Sequence, residues 1–188
     1  MTDQVRAQLE CLITRYPVLK AVETQVAESF EILRQCYENG GKLMIGGNGG
    51  SCADSEHIVG ELMKGFKKPR KMSRNFGEAL RAADPVMGAE LAEALQGGLP
   101  SVALSAHPAL NTAFLNDVNG EMMYAQQVNA LGKAGDVFLG ISTSGNSKNI
   151  RYAAVTARAK GMKVIGLTGK KRRRPGPPDG CGYHSTLQ

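Results

Sequence analysis

The chain has 188 residues, of which 42% are hydrophobic and 21% are charged, a composition that excludes a fibrous or largely disordered protein. This length suits one domain with its own hydrophobic core. No segment reaches the roughly 18 consecutive apolar residues of a membrane span, and charged residues run through the N-terminal segment, unlike in a signal peptide. The four cysteines form no CxxC pair and are typical of reduced thiols. We therefore expect a cytoplasmic protein with no membrane partner.

The net charge of +6 is concentrated at the C-terminus. Five basic residues at 170–174 against Asp179 give the tail +4, which leaves +2 for residues 1–169. A second basic cluster lies within residues 64–74 and is not spread along a face with interleaved aromatic side chains. Nucleic acid is therefore not an expected partner.

Helix-like and strand-like segments alternate along the chain. Residues 5–38 carry apolar side chains at helical spacing, interrupted at Tyr16–Pro17, and predict two N-terminal helices. The apolar strand KLMIGG follows. It leads into a helix that is expected to begin near Ser51, whose hydroxyl can cap it, and to continue to about Lys64.

Residues 66–99 are expected to form an irregular excursion with short helices. Three further apolar strands are predicted, with helices or short helical loops between them: LPSVALSAH, GDVFLGIST and KVIGLTG. Strands that alternate with helices predict an α/β layered fold around a parallel sheet. We expect a single domain over residues 1–169, with N-terminal helices in 1–40 and an α/β core in 41–169.

The last nineteen residues, at 170–188, are basic at first and show no periodicity. We expect either a disordered tail or a segment translated in a shifted reading frame. The second alternative rests on codon arithmetic: CGG codons for arginine, read one base later, become GGC codons for glycine. An α/β unit that stops after its fourth strand has no helix to cover that strand. A C-terminal strand and helix are therefore expected to be missing.

The segment GGNGGS at 46–51, here called the glycine turn, lies between a predicted strand and a predicted helix. It has neither the Lys-Ser/Thr pair of a nucleotide phosphate loop nor the third glycine of the dinucleotide fingerprint. Glycines allow close backbone approach, and amides at a helix start attract anions or hydroxyl-rich ligands. Both a ligand site and an ordinary strand-to-helix turn fit this motif.

The segment STSGNS at 142–147, here called the serine turn, also follows a strand and precedes a helix. Its hydroxyls suit the oxygens of a phosphate, while the alternative, helix capping, needs only one Ser or Thr. Because both turns follow parallel strands, we expect them at the carboxyl edge of the sheet, where open α/β sheets bind ligands.

His57 and Glu61 are four residues apart on the helix after the glycine turn and share one face. One interpretation is an ordinary His–Glu contact on the solvent side of the helix. The other is that the two residues lie near a ligand, where they could bind a metal ion or act as an acid–base pair. Two ligands do not complete a zinc site, and His107 and His184 have no assigned role.

The glycine turn with its helix, the LND at 115–117 and the serine turn with its helix resemble, in this order, the sugar isomerase (SIS) domain family. They are most similar to its phosphoheptose isomerase branch, over about residues 5–170. The resemblance implies a three-layer α/β/α fold with a flavodoxin-like parallel sheet. It also implies a homotetramer with active sites between subunits, which converts sedoheptulose 7-phosphate to glycero-manno-heptose 7-phosphate through an enediol.

The resemblance also implies roles for individual residues. The implied substrate-binding positions are Asn48, Gly49, Gly50, Ser51, Asn116, Asp117, Ser142, Thr143, Ser144 and Ser147. The serines and the threonine among them would hold the phosphate, and the asparagines and the aspartate would line the sugar. His57 and Glu61 match two ligands of a zinc cofactor, and Glu61 is also the implied catalytic base.

One departure and two alternatives bear on activity. The family's remaining zinc ligands lie on a C-terminal helix with a motif like QELH, which has no counterpart after Lys170. The chain is therefore expected to hold little zinc and to be slow or inactive. A non-catalytic SIS scaffold that regulates replication initiation and a sugar-phosphate-sensing module are the other candidate classes. The presence of both His57 and Glu61 favours the enzyme.

Overall fold

The computed structural model describes residues 2–169, which form an α/β fold around one parallel sheet. The strands are β1 Leu43–Gly47, β2 Ser101–Ala103, β3 Val137–Ser142 and β4 Lys163–Thr168. Their order is β2-β1-β3-β4, the doubly wound arrangement of flavodoxin-like folds, so the predicted fold class is confirmed. The predictions for residues 170–188, a tail or a shifted frame, lie outside the described residues.

Helices connect the strands and follow the predicted order. They are α1 Asp3–Arg15, α2 Glu23–Glu38, α3 Gly50–Met63, α4 Arg74–Ala83, α5 Met87–Ala94, α6 Pro108–Phe114, α7 Met123–Leu131 and α8 Lys148–Ala159. The break expected at Tyr16–Pro17 is a 3₁₀ turn over Pro17–Val22, because proline suits a first helical turn but cannot continue the preceding helix. The excursion contains α4 and α5. Among residues 2–169, no helix is both long and apolar enough to cross a bilayer.

The core has two halves, one on each face of the sheet. Successive side chains of β1 point to opposite faces, so Met44 packs with α7 and α8 while Leu43 and Ile45 pack with α2 and α3. The sheet therefore lies between two helical layers, as the three-layer prediction requires.

A nearly buried ion pair joins the amino ends of β1 and β3. Asp136, 4% exposed, accepts hydrogen bonds from the Lys42 ammonium and from the backbone N–H groups of Lys42 and Lys133, the last two at 2.9 Å each. Burial alone would raise the pKa of Asp136, but these hydrogen bonds outweigh it and hold the pKa below 3.8. The pair secures the alignment of the two central strands.

Candidate active site

The two turns meet at the carboxyl edge of the sheet. The strands β1 and β3 are neighbours, and their register pairs Gly46 with Gly140 and Gly47 with Ile141. The strand ends therefore lie side by side, and α3 and α8 both start at this edge, as the sequence predicted.

The glycine turn depends on backbone positions that only glycine suits. A Cβ on Gly47 would lie 2.2 Å from the carbonyl oxygen of Ser51, and Gly49 has a φ of +55°. The expectation that Ser51 caps α3 is wrong. The helix begins at Gly50 with Gly49 as its N-cap, and no side chain among residues 2–169 caps it, because the chain turns at Gly49 before it reaches Ser51.

The serine turn is not explained by helix capping. Ser147 is the N-cap of α8, but its hydroxyl makes no capping bond within the described residues and lies 3.0 Å from the Ser142 hydroxyl instead. Ser144 Oγ accepts a hydrogen bond from the Asn146 N–H at 3.1 Å. Thr143 and Ser144 are exposed at the edge. The turn thus gathers hydroxyls beside a helix start whose N-cap side chain makes no capping bond within the described residues, an arrangement suited to an anion.

A pair of amides connects the two turns. Asn48, in the glycine turn, donates to Asn149 Oδ1 at 2.9 Å, and Asn149 donates back to Asn48 Oδ1 at 2.7 Å. Asn149 lies one residue inside α8 and was not singled out from the sequence. The feature of the sequence that could have identified Asn149 as a site residue is its position directly after the serine turn.

An open cleft lies beside this amide pair. Its lining residues come from the glycine turn, the start of α8 and the segment that follows α6: Asn48, Leu115, Asn119, Gly120, Glu121, Ser147, Lys148 and Asn149. Across the cleft, Lys148 Nζ lies 3.3 Å from a Glu121 carboxylate oxygen. The cleft therefore offers amide, hydroxyl and charged groups close to the serine turn.

The predicted sugar-lining residues Asn116 and Asp117 lie on a π-helical turn over Leu115–Asn119. Both are exposed, and Asn116 donates to Asp117 Oδ1 at 2.8 Å. The cleft is lined by their neighbours Leu115 and Asn119. Sequence reasoning did not identify these two neighbours as lining residues. A π-helical turn changes which side chains share a face, and no residue pattern predicts such a turn.

Glu61 and His57 lie one turn apart on α3. One carboxylate oxygen of Glu61, Oε2, is buried and has no hydrogen-bond partner within residues 2–169, while His57 is exposed. A buried polar atom without a partner is costly, so we expect a ligand, a cation, an ordered water or another chain to complete the contact. Residues 2–169 contain no cluster of three possible metal ligands. Within the described residues, His57 and Glu61 could therefore supply two ligands to a zinc ion, which is fewer than a complete zinc site needs.

Two buried side chains of α7 make hydrogen bonds that stabilise this edge of the sheet. Tyr124, 3% exposed, donates its hydroxyl to Gly47 O at 2.7 Å, and burial raises its pKa to about 12. Gln127 donates to Leu104 O and to Asn111 Oδ1, both at 2.8 Å. The sequence pattern marked both positions only as helical, since their partners lie far away along the chain.

Comparison with known proteins identifies the family. A model described as the SIS domain matches residues 79–169. The phosphoheptose isomerase of Geobacter sulfurreducens is 36% identical over 174 residues, which cover 90% of this chain and 77% of the relative. That of Aneurinibacillus thermoaerophilus is 34% identical over 176 residues, covering 90% and 74%.

Solved structures agree with these relatives. The phosphoheptose isomerase from Francisella tularensis superposes with a TM-score of 0.65 at 31% identity and covers 90% of this chain and 77% of that one. The phosphoheptose isomerase from Neisseria gonorrhoeae has a TM-score of 0.63 at 32% identity, with coverage of 89% and 74%. The chain thus spans about three quarters of these proteins, and it belongs to the phosphoheptose isomerase family of SIS-domain proteins.

Proposed function

We propose that this chain is an aldose–ketose isomerase that converts sedoheptulose 7-phosphate to glycero-manno-heptose 7-phosphate. The observation that carries the proposal is the meeting of three features at one sheet edge: a hydroxyl-rich turn, a glycine turn and the helix that bears Glu61. Relatives named phosphoheptose isomerase, similar over 90% of the chain, support the same activity.

The serine turn binds the phosphate in this proposal. Ser142, Thr143, Ser144 and Ser147 supply hydroxyls, and the start of α8 supplies partial positive charge. The glycine turn, through Asn48, Gly49, Gly50 and Ser51, faces the sugar, and Asn116 and Asp117 approach it from the π-helical turn.

Glu61 acts as the base. Isomerisation moves a proton between adjacent carbons, and this requires a group that takes the proton from one carbon and returns it to the next. The buried Oε2 of Glu61 has no hydrogen-bond partner in the described part of the chain, so the carboxylate has a free lone pair for this transfer. The enediol oxygens then need positive charge or hydrogen-bond donors close by.

We also propose zinc as the cofactor, held in part by His57 and Glu61. Zinc would polarise the sugar oxygens when bound. The Glu61 oxygen, which has no hydrogen-bond partner within residues 2–169, and an imidazole one turn away suit such an ion. The remaining ligands would come from outside residues 2–169, and without them this chain should hold little zinc and isomerise the substrate slowly.

The proposal includes a homotetramer in the cytoplasm. Within the described residues, α1 buries none of its side chains, and Val18 and Phe30 are exposed nearby. Apolar surface of this kind suits contact with other copies. The free thiols of Cys11, Cys36 and Cys52 suit a reducing compartment.

Incubation with sedoheptulose 7-phosphate in deuterated water tests the activity. NMR should show the aldose product and deuterium at the carbon that receives the proton. Glu61→Gln keeps the shape of the side chain but cannot accept a proton, so turnover should fall by about 10²–10⁴-fold while calorimetry still detects substrate binding. Glu93→Gln, an exposed change on α5, serves as the control. Wild-type protein that neither binds nor converts this substrate would refute the proposal.

A further inference from the structure

The amide pair at the cleft links two parts of the site that the proposed function treats separately. Asn48 belongs to the glycine turn, and Asn149 belongs to the helix that follows the serine turn. The two hydrogen bonds between them, at 2.9 and 2.7 Å, close a ring of two amides. Both residues line the cleft.

The backbone of α8 determines which way this ring faces. The Ile150 N–H donates to Asn149 Oδ1 at 2.9 Å, and a backbone N–H can only donate. The oxygen of Asn149 must therefore lie toward Ile150, which leaves its Nδ2 to donate to Asn48. Asn48 can satisfy that donor only with its own oxygen. The orientation of the Asn48 amide is thus set by α8 through Asn149.

The ring leaves Asn48 with unused hydrogen-bonding capacity. A primary amide has two N–H groups and two lone pairs, so among residues 2–169 Asn48 keeps one of each after pairing. Asn149 Oδ1, in contrast, already accepts from Asn48 and from Ile150. Asn48 is therefore the member of the pair that can still both donate to and accept from a ligand hydroxyl.

We propose that Asn149 is a positioning residue for substrate. It holds the Asn48 amide so that one donor and one acceptor meet adjacent hydroxyl groups of the sugar phosphate. This inference rests on the proposed function. An ordered Asn48 has less conformational freedom to lose when the ligand binds, which improves affinity without a direct contact from Asn149.

The expected effects follow from this indirect role. Asn149→Ala frees Asn48 to rotate, so affinity for sedoheptulose 7-phosphate should fall by roughly three- to tenfold, the factor that corresponds to ordering one side chain on binding. Asn48→Ala should weaken binding at least as much, because the contact itself is lost. In the Asn48→Ala background, Asn149→Ala should have no further effect.

Calorimetric titration of the full chain with sedoheptulose 7-phosphate tests this coupling. The forms compared are wild type, the two single variants, the double variant and Asn129→Ala, an exposed change on α7 that serves as the control. Thermal unfolding checks that each form is folded. If Asn149→Ala does not fold, Asn149→Asp keeps the acceptor for the Ile150 N–H but removes the donor to Asn48. The same aspartate in the Asn48→Ala background measures the effect of the added charge alone.

The outcomes separate the two proposals. A loss in Asn149→Ala that disappears in the Asn48→Ala background supports the positioning role. Wild-type binding with unchanged affinity in Asn149→Ala, or losses that multiply in the double variant, would overturn this inference alone. Absence of wild-type binding would overturn the proposed function and this inference together.

Discussion

Ser144 is exposed in the serine turn, where its hydroxyl accepts a hydrogen bond from the Asn146 N–H. We expect Ser144→Ala to weaken binding of sedoheptulose 7-phosphate by about 1–3 kcal/mol, because a phosphate oxygen loses a hydrogen-bond partner in a partly desolvated site. Titration calorimetry measures this change. Thr156→Ala, at a half-buried position farther along α8, is the matched control, and equal affinity in both variants would contradict the assignment.

Single residues also show where sequence reasoning stops. Ser51 had the right type for a helix cap, yet the positive φ of Gly49 starts the helix one residue earlier. Tyr124 reaches Gly47 across 77 residues of sequence, and no local pattern encodes that contact. The meeting of the two turns at one sheet edge could be predicted, because clusters of glycines and hydroxyls follow two parallel strands in the sequence. The side chains that hold the turns in place, such as Tyr124, could not be predicted, because their contacts join residues that are distant in sequence and form only when the chain folds.

At the scale of elements, the ion pair of Asp136 with Lys42 aligns β1 and β3. Asp136→Asn should lower the free energy of unfolding by about 2–3 kcal/mol near pH 7, somewhat less than for a fully buried pair because Lys42 is partly exposed. Urea unfolding followed by circular dichroism measures this loss. Glu23→Gln, which breaks the more exposed pair with Lys20, should cost less than about 1 kcal/mol.

The same pair predicts a pH dependence. The pKa of Asp136 is lowered in the folded state, so its contribution to stability is present above pH 3.8 and is lost as pH falls through the lower folded pKa. The stability gap between wild type and Asp136→Asn should therefore shrink below about pH 4. A gap that stays constant down to pH 2 would show that the charge of Asp136 is not the cause.

The elements themselves were predictable for clear physical reasons. Apolar segments that precede glycine or serine clusters predict β1 and β3, and the proline at 17 predicts the break before α2. The sequence predicts a helix over residues 121–131, whereas α7 begins at Met123. A 3₁₀ turn over Gly120–Met122 precedes it, and Asn119 Oδ1 accepts the Glu121 N–H there. Short turns of this kind follow from one local hydrogen bond, which a hydrophobic pattern does not record.

At the scale of the whole molecule, exposed apolar side chains around the N-terminal helices predict self-association. Val18 is 75% exposed in this chain. Sedimentation equilibrium at micromolar concentration should give about four times the chain mass of 20.0 kDa. Val18→Glu should shift the distribution toward smaller species, because a charge cannot be buried at a contact without a partner, whereas the polar-site change Thr24→Glu should not. A monomeric wild type would contradict the tetramer.

The central place of β1 has a consequence for synthesis on the ribosome. β1 is buried along its whole length, yet its neighbour β3 follows about 94 residues later, as the Lys42–Asp136 separation shows. At about 5–20 residues per second, the emerging chain holds this apolar strand without its main neighbour for at least roughly five seconds. The strand is then open to pairing with other nascent chains. Chaperones that cover this strand during translation should therefore raise the yield of folded protein.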